Sequence, residues 1–394
     1  MTELLNFAKT FYADFAKLRF FGKVAVLFGL CVVVLVGSVA LYPQATAQRF
    51  AFFTNYWRAY RAGETGVIPL NGEASHAVNY IKSSLKTSLE KQAKQNLATL
   101  PSNPKIYDVF NAWTWSQIAI ADPSFASDNK KAIDSAIDLW KYDSRSWREF
   151  PDDPICEIHV NAWVIYGRAK ALHEFDADPV DYLIQQQGAK GHWCIYPDVS
   201  DSDYACTYAT CVAILALDAV HNEANCTGEL RKRVEKALER GRKFLLSAFN
   251  TTDGLFSDYP MNPRIGTARV GLSSLAIYAL YSTSAGDPPP QLREIALSWL
   301  RRHTVQKHSL NANEVSGANV AKRGIDHVRL YVHPCELLAF PIAYRYADLP
   351  TRAEALTWFN DYCTDLEGAE SLSDDFPWIA AEYLAAFNEL NLPP

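Results

Sequence analysis

Ionisable side chains gather at a few places in this sequence where their types would matter chemically. Arg264, Arg269, His327, Arg329 and His333 fall near the starts of two successive apolar helical segments. Helix N-termini carry positive partial charge, so a rim built this way would bind an anion such as a phosphate, carboxylate or uronate. With Trp193 and Glu336 these residues form the candidate ligand-binding set. The alternative is ordinary ion pairing with Asp258, Asp326 and Glu336, which would leave no anion site. A second chemistry, glycan hydrolysis, needs two carboxylates across a cleft. Asp108, Glu157, Asp203, Glu336 and Glu382 are the acids placed on core helical segments. If exposed, Trp113, Trp147, Trp163 and Trp193 would stack on sugar rings, although regularly repeated aromatics also serve as core. The sequence has no phosphate-binding glycine loop, no His-Glu-x-x-His helix and no Gly-x-Ser-x-Gly elbow. No cofactor and no metal are therefore expected.

Two kinds of helix must position these groups. One is amphipathic, as in 229–249, where Leu230, Val234, Leu238 and Leu245 recur at near-helical steps between Arg and Lys. The other is apolar on nearly every side, as in CTYATCVAILALDA at 206–219, and must be surrounded by protein. The amphipathic members are expected near 73–98, 126–142, 178–187, 229–249, 290–303 and 350–366. The buried members are expected near 106–121, 156–174, 203–221, 265–283, 327–347 and 375–390. Asn-Ala-Trp at 111–113 recurs at 161–163, 50 residues on. An aromatic-x-x-aromatic-Pro step recurs as Trp147…Phe150-Pro151, Trp193…Tyr196-Pro197 and Phe256…Tyr259-Pro260, with Phe376-Pro377 as a weaker echo. Such repeats predict helical hairpins, each burying a face on its neighbour. The expected fold is all-α: an (α/α)6 toroid of six hairpins over 73–394, closed so that no end needs a cap.

This pattern resembles the α/α-toroid superfamily of squalene–hopene cyclases, related terpene cyclases and protein prenyltransferases. The resemblance is carried by Tyr182-Leu183-Ile184-Gln185-Gln186-Gln187…Gly191-His192-Trp193 and by Phe244-Leu245-Leu246…Asp253-Gly254-Leu255-Phe256. Both segments are similar to the glutamine/tryptophan repeat of that superfamily. The resemblance implies an isoprenoid cyclase or transferase, with Asp201 and Asp203 as candidate catalytic acids. They stand where proton-initiating cyclases carry Asp-x-Asp-Asp, but here Tyr204 replaces the last acid. The competing reading makes Asp201 or Asp203 the N-cap of the helix that follows. The prenyltransferases of the superfamily hold zinc with Asp, Cys and His. Asp203, Cys206 and His333 are the residues available for that, without supporting spacing, and Cys206 reads equally as a buried thiol.

Composition places the chain in the cell. Of 394 residues, 49% are hydrophobic and 21% charged, a globular balance that excludes wholesale disorder. A net charge of -6, with Arg231-Lys232-Arg233 as the one basic block, excludes non-specific nucleic-acid binding. Residues 24–42 form an uncharged apolar run bounded by Lys23 and Pro43, long enough to serve as a transmembrane helix. Residues 1–23 would then be a cytoplasmic segment and 43–72 a membrane-proximal connector, aromatic at first and then Gly/Pro-rich. A preceding segment this long favours an uncleaved anchor over a signal peptide, for which Ala45-Thr46-Ala47 would be the cleavage site. Lys9, Lys17, Arg19 and Lys23 before the run, against Arg49, Arg58 and Arg61 after it, favour an inside N-terminus and an extracytoplasmic domain. Cys31 lies within the run, and the seven remaining cysteines show no disulfide framework, so buried free thiols are expected. The function expected is a membrane-anchored binding or interaction module of a cell-envelope assembly, working with membrane-protein partner subunits. Its ligand would be anionic, isoprenoid or glycan. The enzymatic alternatives are an isoprenoid cyclase or transferase and a glycan lyase, hydrolase or epimerase.

Overall fold

In a computed structural model, the described residues are 43–63, 67–99, 110–148, 155–197, 202–252, 254–262, 268–282, 288–306, 335–365, 377–390 and 392. They are mostly helical, with fourteen helices and three very short strands. The apolar run 24–42 lies outside them, and among the described residues no helix is long and apolar enough to cross a membrane. The chain divides into two compact units, one ending at Arg58 and the other beginning at Ala59. Much of the expected connector 43–72 is helix α1, Pro43–Ala62. Pro43 opens it where a missing N–H is harmless, and no glycine interrupts it. Gly63 stops it at φ +61°, with its N–H shared between the carbonyls of Ala59 and Tyr60 at 3.2 Å each.

Six helical pairs follow, each an amphipathic layer and then an apolar helix. Helix α2 (Gly72–Thr99) precedes α3 (Ala112–Ala121); α4 (Pro123–Asp128) and α5 (Lys130–Asp138) precede α6 (Ile158–Leu172). Then come α7 (Ala177–Gln185) with α8 (Thr207–Asn222) and α9 (Gly228–Ala248) with α10 (Val270–Ser282). Last are α11 (Leu292–Gln306) with α12 (Cys335–Tyr346) and α13 (Leu349–Asp365) with α14 (Pro377–Glu389). The amphipathic stretch expected at 126–142 divides in two. Asp122 accepts from Phe125 N at 3.1 Å and starts α4 on Pro123, and Asn129 then ends that helix and begins the next.

The two layers bury different amounts of surface. Helix α8 is buried at every position from Thr207 to Val220. Its partner α9 buries one face only, through Val234, Ala237, Leu238, Gly241, Phe244, Leu245 and Ala248. Each large apolar side chain so enclosed contributes roughly 1.5–3 kcal/mol. The apolar helices pack in cyclic order: α3 on α6, α6 on α8, α8 on α10, α10 on α12, α12 on α14, and α14 back on α3. In the outer layer α13 packs on α2, and Asn71 N donates to the buried Asn360 Oδ1 at 3.0 Å.

The repeated aromatic step has a definite mechanical role. Trp147, Trp193 and Phe256 are all fully buried. Trp147 N donates to Asn161 Oδ1 at 2.9 Å, Trp193 N to Thr210 Oγ1 at 3.0 Å and Phe256 N to Ser273 Oγ at 2.8 Å. Asn161, Thr210 and Ser273 are each the fourth residue of the apolar helix that follows the step. Two of the steps also cap the preceding apolar helix. Ile158 N, the first amide of α6, donates to Ile195 O at 2.7 Å, and Thr207 N, the first of α8, donates to Asp258 O at 2.9 Å. Each accepting carbonyl lies two residues beyond the buried aromatic, so one short step latches its own helix and caps the previous one.

The strands belong to the same device. Strand β1 (Phe249–Asn250) pairs antiparallel with β2 (Leu255–Ser257), which pairs with β3 (Ala268–Arg269) and sets Phe256 opposite Arg269. The isolated bridge between Trp193 and Cys206 repeats this arrangement one unit earlier.

Replacing Thr210 by Val keeps the shape but leaves the buried Trp193 N–H without an acceptor. The substitution should lower the unfolding free energy by about 1–3 kcal/mol. Urea denaturation of the variant beside Leu246→Ala, at a half-buried site on α9 away from the latch, checks this.

Candidate functional site

Where the six apolar helices face one another they leave a cavity of about 100 Å³. All six contribute to its wall. Trp163, Tyr166, Tyr208 and Tyr278 supply the aromatic part, and Ile120, Leu215, Leu275, Leu338 and Ala385 the aliphatic part. The polar groups lie at two levels. Gln117 on α3 and Glu382 on α14 stand inside, while Lys170, Asn388 and Glu389 occupy the far ends of α6 and α14. Lys170 Nζ and Glu389 lie 3.7 Å apart with both side chains substantially exposed, which marks the mouth of the cavity. Seven residues of helix separate Glu382 from Glu389, a depth of about 10 Å.

Glu382 is the chemically distinctive group. Gln117 Nε2 donates to its Oε1 at 2.5 Å. Burial away from bulk water pushes its carboxyl up to about 8, against the Gln117 hydrogen bond, which favours the charged form. At neutral pH it is therefore mostly a neutral acid, with one O–H to donate in a largely apolar space. Gln117 Oε1 is buried and accepts no hydrogen bond among the described residues. On the facing wall Trp163 Nε1 donates to Tyr208 Oη at 2.8 Å, with the Trp163 and Tyr166 rings 5.8 Å apart. Burial, and then the negative charge of Glu389, hold the Tyr278 hydroxyl well above its ordinary range, so it stays protonated. The arrangement can bind a small apolar molecule, hydrogen-bond one polar group of it, and hold a proton at Glu382.

Most of the anion rim, Arg264, His327, Arg329 and His333, lies outside the described residues, and so does the candidate catalytic acid Asp201. Arg269 is placed in β3 and Glu336 in the first turn of α12, and their side chains lie outside the described set. Asp203 sits exposed in a single 3-10 turn, Ser202–Tyr204, away from the cavity. It does not cap α8, because Cys206 occupies the N-cap and makes no side-chain cap bond. Of the two readings of the repeated tryptophans, stacking platform or core, burial fits the core one. Trp113, Trp147, Trp163 and Trp193 are all buried, since the repeat uses them as packing groups. Trp193 in particular spends its indole N–H on Leu183 O at 2.7 Å. Trp163 reaches the cavity wall from inside the ring.

Among the candidate acids, Glu157 is buried at the N-cap of α6 and Asp108 lies outside the described residues. Among the described side chains Glu382 is the member of that set that lines the cavity, and Glu389, the other lining carboxyl among them, stands on the same helix rather than across from it. Cys206 is a buried thiol pushed up to about 12 by burial, far from a zinc-binding thiolate. Cys156, Cys206, Cys211, Cys226 and Cys363 are free, buried thiols, and Cys194 is buried as well. Among the described residues no group of three His, Cys, Asp or Glu could hold a metal ion. Gln117 escaped sequence reasoning, although a lone glutamine in the apolar run AWTWSQIAIA was a readable signal. Compared with known proteins, the chain matches no family model, no curated protein and no solved structure.

The pH dependence follows from Glu382. Its folded value lies above the ordinary carboxylate value of 4.5. Below 4.5 both folded and unfolded chains hold the proton, and its contribution to stability is fully present. As pH rises toward about 8 the unfolded chain releases the proton first, so stability is lost across that window. Glu382→Gln should match the wild type near pH 4.5 and exceed it by about 1 kcal/mol or more at pH 8. Thermal or urea unfolding of both proteins across this range checks the sign.

Proposed function

We propose that the chain is a membrane-anchored binding module. In this reading residues 24–42 span the membrane and the helical pairs form an (α/α)6 toroid. The central cavity takes a small, largely apolar ligand carrying one hydrogen-bonding group, and the module serves a cell-envelope assembly. The single observation that carries the binding role is the cavity itself: all six core helices line it, and it holds the neutral acid Glu382 beside Gln117. The cyclic packing order supports the toroid. Its volume, about 100 Å³, falls below the roughly 150 Å³ cavity that accommodates benzene. Because the mouth at Lys170 and Glu389 is exposed, a ligand can extend beyond it, so the site suits one end of a small ring or of a short chain better than a wholly enclosed polyisoprenoid.

One observation favours a second reading, an isoprenoid cyclase or transferase-like enzyme. A protonated carboxyl lining the same cavity as Trp163, Tyr166 and Tyr208 is the environment in which an alkene could be protonated and the resulting cation stabilised. In that case the acid is Glu382 rather than Asp201 or Asp203. Among the described residues the two carboxyls lining this cavity, Glu382 and Glu389, stand on one helix, which gives no support to the opposed pair that glycan hydrolysis needs.

Calorimetric titration of the full-length protein in nanodiscs with p-cresol separates these readings. Saturable binding should be lost in Leu275→Trp, which fills the cavity, and in Gln117→Leu should weaken by about tenfold or less. Turnover of an isoprenoid diphosphate or a polysaccharide by the wild type would overturn the binding-module reading. Failure of p-cresol to bind at all would remove the cavity from the account.

A further inference from the structure

Helix α1 carries an exposed aromatic face. Phe50 is 70% exposed, Phe53 67%, Trp57 59% and Tyr60 61%. At 3.6 residues per turn these four positions fall within an arc of about 80° along one side of the helix. Arg49 and Arg61, both exposed, border that arc, and no aspartate or glutamate occurs anywhere in Pro43–Ala62. Among the described residues no carboxylate pairs with either arginine. Water disfavours a contiguous display of four large rings, so a helix with this face has an occupant for it.

We propose that the occupant is the interfacial zone of a bilayer containing anionic lipid, with α1 lying along the surface and the aromatic face turned toward the acyl chains. Three observations choose lipid over protein. Tyr42, the last residue of the uncharged run 24–42, is joined directly to Pro43, so a span over 24–42 delivers α1 to the membrane surface. Tryptophan and tyrosine have amphipathic rings that settle at the headgroup level. Arginines flanking the apolar face, with no acid on the helix, match the negative potential of anionic headgroups. At 20 residues the helix is about 30 Å long, enough for its aromatic face to run along a bilayer surface. The proposal rests on the reading of 24–42 as a membrane span.

The test uses the full chain in vesicles of phosphatidylcholine with phosphatidylglycerol, some lipids carrying bromine near the headgroup end of the chain and some near its terminus. Tryptophan quenching is compared between the wild type and Trp57→Phe. The proposal expects headgroup-proximal bromine to quench the wild type and Trp57→Phe to lose most of that component. It also expects terminal bromine to quench little at this site. Equal quenching of the two proteins places Trp57 off the bilayer and overturns the proposal. Shielding of Trp57 from both brominated lipid and aqueous acrylamide marks a protein partner or second copy, and also overturns it. A chain that stays in solution without detergent sinks the span over 24–42 instead. Flotation on preformed anionic vesicles then decides the aromatic face separately. Salt-sensitive flotation lost in the double variant Phe50→Ser, Phe53→Ser upholds it, and absence of flotation overturns it.

Discussion

Six helices that are apolar on nearly every side impose the constraint from which the rest follows. None of them can face water, and each needs neighbours on all flanks. The chain meets this by giving each apolar helix two apolar neighbours in cyclic order and covering the outside with amphipathic helices. An open row would leave its first and last apolar helices exposed. Here α14 returns to α3, where Asn388 Nδ2 donates to Ala121 O at 2.9 Å and Gln117 Nε2 to Glu382 Oε1 at 2.5 Å. One of the hydrogen bonds joining the last core helix to the first, Gln117 to Glu382, thus also fixes a carboxyl in the cavity.

The latches explain why the repeat is written in aromatic and small polar residues. A helix entering a crowded core must satisfy its first amides without a broad polar loop. Trp147, Trp193 and Phe256 fill space, while their backbone amides find Asn161, Thr210 and Ser273 one turn into the next helix. The glutamine of the repeat is explained as well. Gln187 Nε2 donates to Gly191 O at 3.0 Å and to Ala237 O at 2.9 Å, stitching the turn to α9. Gly191 takes φ +92° against the Arg240 backbone, where a side chain would collide. These residues join the helical pairs, and the apolar helices of those pairs together line the cavity that holds the acid.

Helical periodicity made the two layers readable, because an all-apolar helix and a one-sided helix differ along their whole length. The step at Trp147, Trp193 and Phe256 was readable as a repeat, but its hydrogen-bond partners lie 14 or 17 residues on and emerge only once the helices are packed. Asp203 drew attention through local pattern alone. Folding leaves it exposed in a short turn, three residues before the actual N-cap, Cys206. Glu382 could be flagged as an acid on a core helix, but its role depends on Gln117, 265 residues away. No window on the sequence shows that pairing. The break between α4 and α5 was likewise hidden, since Asp122 caps a helix that periodicity alone would run straight through.

The central claim is that the packing of α14 on α3 holds Glu382 as a neutral acid inside the cavity. Infrared difference spectroscopy of wild type against Glu382→Gln, recorded in D2O at neutral pH, tests it directly. The account predicts a protonated-carboxyl C=O band in the wild type, absent from the variant, that fades as pH passes through about 8. A spectrum with only carboxylate bands at neutral pH, or a band that titrates near 4.5 as for an exposed glutamate, would contradict it.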